Sequence, residues 1–265
     1  MATAGIVLCA DDYGIAPGVS RAIRDLLERR RLSATGCMVV SPEFVNEGPL
    51  LAPYLDRADI GLHFTLTFDR PLGGVMRAAY FRRLDLRATA AELDRQIESF
   101  TRIVGRPPDF IDGHQHVHQL PGVRDQVAAA AARIGAYVRV TEERIGAILR
   151  AGVSADKAGF LAIMAAPMAR AVRRSGVKRN SGFRGVRSFN ESGPYGDLFR
   201  RMIARARPGT IVMCHPGLVD DTLKARDPVT AAREGEYRYF LSDEFPADLA
   251  AAHLQLSRLQ DAQAS

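Results

Sequence analysis

The chain reads as an α/β protein on a closed or distorted (β/α) barrel, mostly parallel, with one domain over 1–265. Three observations point there. Short apolar runs alternate with amphipathic helical segments almost throughout, the pattern of successive βαβ units. Polar residues collect where those runs end: Asp11 and Asp12, His63, Asp112 with His114, Arg139 and His215. No glycine-rich turn follows the first run, because Gly14 and Gly18 do not make a dinucleotide fingerprint and no phosphate-loop lysine follows them. The 265 residues suit an α/β barrel of roughly 250 residues.

The elements follow in order. Ile6-Val7-Leu8-Cys9-Ala10 is apolar without alternation, as a strand buried on both faces should be. Pro17 opens a helix to about Arg30, with Val19, Ala22, Ile23, Leu26 and Leu27 at helical spacing. Thr35 to Val40 is the second strand and Asp59 to Thr67 the third. Pro71 to Leu86 reads as a long loop rich in Arg and Gly, of the kind that borders an active site. Thr89 and Glu92 have capping-box spacing for a helix to Val104, closed by Gly105. Phe110 to Asp112 is the fourth strand; a helix over 123–134 ends at Gly135, and Tyr137 to Val140 is the fifth strand. A helix from Ala155 to Ser175, a weak strand at Gly182 to Val186, a helix at Asp197 to Arg205 and an emphatic strand at Thr210 to Cys214 come next. Helical segments are expected from there through Leu256.

Composition narrows the class. With 47% hydrophobic and 25% charged residues the chain is an ordinary soluble one. Its net charge of +6 comes mostly from scattered arginine, and no basic motif with interleaved aromatics appears, so nucleic acid is not expected as a partner. Cys9, Cys37 and Cys214 are odd in number, far apart and set in apolar runs, which fits buried thiols in a reducing compartment. Neither a signal peptide nor a run of about 18 apolar residues is visible. The expectation is a cytoplasmic protein without a transmembrane segment, with a homodimer left open.

The chemistry concentrates in Asp112-Gly113-His114-Gln115-His116-Val117-His118, which holds half of the six histidines. Alternation along an extended segment predicts His114, His116 and His118 on one face. Each strand end has an ordinary explanation taken singly: Asp11-Asp12 as a helix cap, His63 as a core residue, His215 as a strand cap. Parallel strands bring all of them to one rim, and there a carboxylate pair needs a cation to offset its repulsion. A carboxylate with two imidazoles is a facial set for a divalent metal with open positions.

Four segments carry a resemblance to a known family: Ala10-Asp11-Asp12-Tyr13-Gly14, Gly61-Leu62-His63-Phe64-Thr65-Leu66-Thr67, the Asp112 to His118 cluster, and Met213-Cys214-His215-Pro216-Gly217. In order and spacing they resemble the YdjC-like carbohydrate deacetylases (the ChbG/HpnK group) over nearly the whole chain. The resemblance implies a distorted TIM-like barrel and removal of acetyl groups from N-acetylated amino sugars, in oligosaccharides or lipid-linked, with one divalent metal. It implies Asp12, His63 and His114 as metal ligands, Asp11 as general base and His215 as the acid-side partner. Tyr13 stands where phenylalanine is commoner. The stretch from about Gly152 to Asn190 has no motif to transfer.

The residue chemistry agrees: a metal lowers the pKa of water and polarises an acetyl carbonyl, while Asp11 and His215 handle the protons. His116 and His118 are candidates for orienting the ligands from behind, and Arg139 for tethering Asp11 or touching the sugar. Two imidazoles and a carboxylate admit zinc, magnesium, manganese, cobalt or nickel. The rivals are a metal hydrolase of another bond, such as a phosphoester, and a non-catalytic sugar-binding protein.

Overall fold

The computed structural model describes residues 3–150, 155–187, 189 and 193–264. The elements up to the fourth strand are β1 Ala4–Tyr13, α1 Pro17–Glu28, β2 Ala34–Cys37, α2 Phe44–Glu47, β3 Asp59–Phe64, α3 Leu72–Tyr80, α4 Leu86–Val104 and β4 Phe110–Gly113. Next come α5 Val123–Ile134, β5 Tyr137–Val138, α6 Ile145–Arg150, α7 Ala155–Arg174, β6 Gly182–Arg184, α8 Tyr195–Ile203 and β7 Thr210–Cys214. The chain ends with α9 Asp221–Arg226, α10 Ala231–Leu241, α11 Glu244–Ala251, β8 Leu254–Leu256 and α12 Leu259–Ala264. Short stretches of 3₁₀ helix occupy Gly48–Tyr54 and His114–Gln119. Gly152 and Asn190, the limits of the stretch without a transferable motif, lie outside the described residues.

The strands run β5-β4-β3-β2-β1-β7-β6, and β1 also pairs with β8. Every pairing is parallel. A parallel bridge joins Val138 to Arg179, just ahead of β6, and the Asn180 side chain beside it pairs with both backbone groups of Val140 at 2.8 Å. The curl is that of a distorted (β/α) barrel, and parallel pairing puts the carboxyl ends of the strands on one rim.

Local chemistry explains the boundaries. Pro17 opens α1, and Gly105 and Gly135 close α4 and α5 at left-handed φ of 89° and 74°. Three sequence expectations are corrected. Leu72–Tyr80 is helical where a loop is predicted: Gly73 and Gly74 weaken the propensity signal, while Val75 and Ala79, one turn apart, are buried. The helix after it starts at Leu86, capped by the Asp85 carboxylate accepting from the Ala88 N–H at 2.9 Å, so Thr89 and Glu92 are not its capping box. Leu254–Leu256 is a strand rather than the end of a helix, and three residues are too few for periodicity to show.

One contact cluster near the end of the chain matters for the site. Phe199, Tyr239, Phe240 and Phe245 pack together; Phe240 meets Phe199 and Phe245 edge-on and Tyr239 tilted, with ring centroids 5.1 to 5.6 Å apart. They tie α10 to α8 and α11.

Candidate active site

The site begins with an irregularity in β1. Between Ala10 and Tyr13 the pairing with β2 slips by one residue, and Asp12 inside that bulge has φ of 69°. In a regular strand neighbouring side chains face opposite ways. The extra residue turns Asp12 so that both carboxylates reach the same ring: Asp11 Oδ2 lies 3.9 Å and Asp12 Oδ1 3.4 Å from His63 Nε2. A left-handed non-glycine residue costs on the order of 1 kcal/mol, a strain found where a site requires the geometry.

His63 comes one residue before the end of β3, buried. Its Nδ1 stands 2.6 Å from Asp112 Oδ1 on β4, which leaves Nε2 toward Asp12. Glycine at position 36 makes room for this pair, since a Cβ there would come within 3.2 Å of His63 Nδ1 and 3.4 Å of Asp112 Oδ1. Burial opposes charge on the ring, but Asp112 and Asp11 outweigh it and push the His63 pKa up to about 10.

His114 follows β4, and its Nδ1 is 3.1 Å from Asp12 Oδ1. Beyond it the expected alternation fails. Gln115 and His116 have left-handed φ of 52° and 60°, so the chain coils into a 3₁₀ turn and the three imidazoles do not share a face. His118 turns inward to hydrogen-bond through Nε2 with the Arg139 carbonyl at 2.9 Å. His116 packs edge-on against Phe183, with centroids 5.7 Å apart.

Asp12, His63 and His114 therefore each offer one ligand atom, all within 4.8 Å of one another. Asp12 and His63 are buried and His114 is half-buried, so the group opens on one side. A carboxylate and two imidazoles are a chemically sound set for a borderline or hard divalent cation.

Cys9, Asp11 and Asp112 lie equally close together, but the cation among them is Arg139. Its Nη1 and Nη2 donate to the two oxygens of Asp11 at 2.6 and 2.7 Å, and Nη2 lies 3.0 Å from Asp112 Oδ2. The guanidinium is fully buried. Burial works against its charge, yet Asp11 and Asp112 hold its pKa well above the usual value.

Comparison with known proteins now decides the family. The family model described as YdjC-like protein matches residues 5–251. The chain belongs to the YdjC-like family. A chitooligosaccharide deacetylase of Yersinia pestis (strain Pestoides F) is 30% identical over 236 residues, covering 82% of this chain and 83% of the relative. Among solved structures, a candidate cellobiose-phosphate cleavage protein of Enterococcus faecalis V583 superposes with TM-score 0.72 at 18% identity, over 98% of this chain and 99% of the other. A family 4 acetyl xylan esterase of Clostridium thermocellum, solved with a cobalt ion, gives 0.55 at 11% identity over 98% and 90%. These two likenesses concern the fold.

In this YdjC-like protein α10 supplies two residues that sequence reasoning missed. Arg233 Nη2 donates to Asp12 Oδ2 at 2.6 Å, so one oxygen of Asp12 is held and the other faces the histidines. Burial would raise the Asp12 pKa, but Arg233 first, then His114 and His63, keep it well below the usual carboxylate range. One turn on, Glu236 Oε2 accepts from the His215 backbone N–H at 2.6 Å and Oε1 from Arg187 Nη1 at 2.9 Å. Burial pushes the Glu236 pKa up to about 7 against the pull of Arg187. Charged residues on a helix read as a solvated face; only the tertiary structure shows Arg233 and Glu236 turned inward at 2% and 1% exposure.

His215 follows β7 and packs edge-on against Phe189, with centroids 5.4 Å apart. Its Nδ1 is buried and has no hydrogen-bond partner among the described residues. Burial lowers its pKa to about 4, although Asp12 and Asp11 oppose this. A pocket of 660 Å³ opens just past β3, lined by Thr65, Leu66, Phe68, Glu92 and Arg95 among others.

Proposed function

We propose that this protein hydrolyses the acetamide of an N-acetylated amino sugar, in an oligosaccharide or glycolipid, as a metal-dependent carbohydrate deacetylase. The observation that carries the reading is the Asp12, His63 and His114 group opening beside a carboxylate held by arginine, Asp11. Membership of the YdjC-like family and the chitooligosaccharide deacetylase relative support it.

Asp12, His63 and His114 would hold one divalent cation, which when bound acidifies water and polarises the acetyl carbonyl. The residues around it have separable tasks. Asp112 orients the His63 ring through Nδ1, and Arg233 occupies the Asp12 oxygen that faces away. Asp11, aimed by the two-pronged grip of Arg139, accepts the proton of the attacking water. With its pKa at about 4, His215 is neutral before reaction, so it serves as a relay. It takes the proton that Asp11 received and delivers it to the departing amine nitrogen, returning to the neutral ring. One proton of the water ends on the amine, and the other leaves with the carboxylic acid product, which ionises to acetate in solution. Among the described residues no helix is long and apolar enough to cross a membrane.

The test is acetate release from N-acetylglucosamine oligomers with and without a chelator, with Asp11→Asn as control. Release that needs metal and falls by about 10²-fold or more in the variant supports the reading. Release that is unchanged by stripping the metal sinks it.

A further inference from the structure

We propose that the 660 Å³ pocket beyond β3 is a subsite for the sugar units next to the acetylated one. This rests on the deacetylase reading above and names where the rest of the substrate lies.

Continuity with the metal-ligand group comes first. Thr65 lines the pocket and sits two residues past His63, and its hydroxyl donates to the His63 carbonyl at 2.8 Å. Buried Gln96 clips both backbone groups of Thr65, accepting from its N–H at 3.1 Å and donating to its carbonyl at 2.8 Å. The pocket floor and the His63 ring are therefore set by one short length of chain. Phe68, on the pocket wall, lies under Arg226, whose guanidinium carbon is 5.7 Å from the ring centroid. Arg226 also donates to the Ile15 carbonyl at 2.5 Å and to Ser41 Oγ at 2.9 Å, just past the ends of β1 and β2. The wall is thus braced from the same rim of the barrel that carries Asp12 and His63.

Chemistry selects the occupant. A pyranose offers apolar C–H faces and a girdle of hydroxyls that both donate and accept. Phe68, Leu66 and Val75 can meet the faces, and planar Glu92 and Arg95 the girdle. The lining carries the carboxylates Asp69, Asp85 and Glu92 against the guanidiniums Arg70 and Arg95. Arg95 is already engaged by Glu92 through contacts of 2.8 and 2.5 Å. The Glu92–Arg95 pair cancels, Asp85 caps α4, and Arg226 stands on the Phe68 wall, so the lining is mixed in charge and suits the hydroxyls of a neutral sugar. The volume lies within the ordinary range of ligand pockets, roughly 300–1,000 Å³.

Binding of glucosamine and its tetramer, measured by calorimetry on the full-length metal-loaded protein, tests the proposal. Neither of these carries an acetyl group, so no turnover intervenes. The tetramer should bind about tenfold tighter than the monomer, and Phe68→Ala and Glu92→Gln should each remove most of that ratio while melting curves show them folded. A ratio near one, or a ratio indifferent to both variants, overturns the proposal. If the tetramer is discriminated as expected but no acetylated sugar releases acetate, the deacetylase reading fails and the pocket stands as a sugar-binding site.

Discussion

His63 Nδ1 and Asp112 Oδ1 stand 2.6 Å apart at the ends of neighbouring strands, paired in register. The contact turns Nε2 of the ring toward Asp12. Asp112→Asn keeps the shape but weakens the grip on the ring, and loss of such a partner ordinarily costs 10- to 100-fold in metal affinity. Titration with zinc or manganese against a competing chelator should show a loss of about that size. Unchanged affinity would mean that the ring is held by its surroundings and not by Asp112.

Arg139 is the cation for two buried carboxylates. Arg139→Met leaves Asp11 and Asp112 uncompensated and should destabilise the fold by about 3–5 kcal/mol. Arg139→Lys keeps the charge but loses the two-pronged grip on Asp11, so it should recover part of the stability and less of the activity. Urea unfolding read beside acetate release separates the two effects; equal recovery of both would argue against an aiming role.

Arg233 and a bound metal would neutralise the same carboxylate from its two oxygens. Arg233→Met should destabilise the metal-free protein by about 3 kcal/mol, and saturating metal should raise its melting temperature more than it raises that of the parent. An equal rise in both proteins would separate Asp12 from the metal.

His118 makes stability depend on pH. Burial, with Arg139 next, lowers its pKa to about 3, so the folded protein keeps the ring neutral while the unfolded chain takes up a proton below about 6.5. Between those values the unfolded state binds more protons, and stability falls as pH falls. From pH 7 to pH 5 His118 should cost about 2 kcal/mol. Unfolding of His118→Gln at the two pH values should lose that much of the slope; an identical slope would refute the assignment.

Much of this was legible before the structure. Strands such as Ile6–Ala10 and Thr210–Cys214 are apolar without alternation, and parallel order then sends Asp12, His63 and His114 to one rim whatever the details of packing. Other features had no signal along the chain. Nothing in Gln115-His116 announces left-handed backbone, because that conformation is chosen by the turn after β4. Leu254–Leu256 is too short for a period, and Leu72–Tyr80 is masked by two glycines that weaken its helical pattern. Arg233 and Glu236 resemble any charged helix face until the aromatic packing of α10 turns them inward.

The Arg139 to Asp11 grip has a further consequence. Arg139 directly follows β5, only two residues long, beside the seam where the Val138–Arg179 bridge and the Asn180 side chain join it to the segment before β6. Its guanidinium reaches from that thin edge to β1. Asp11, the proposed proton acceptor, is thus also the anchor of a strut, and a thermal fluctuation that parts the seam would pull its carboxylate out of line. Loss of turnover and loosening of the barrel should therefore be a single cooperative event rather than two.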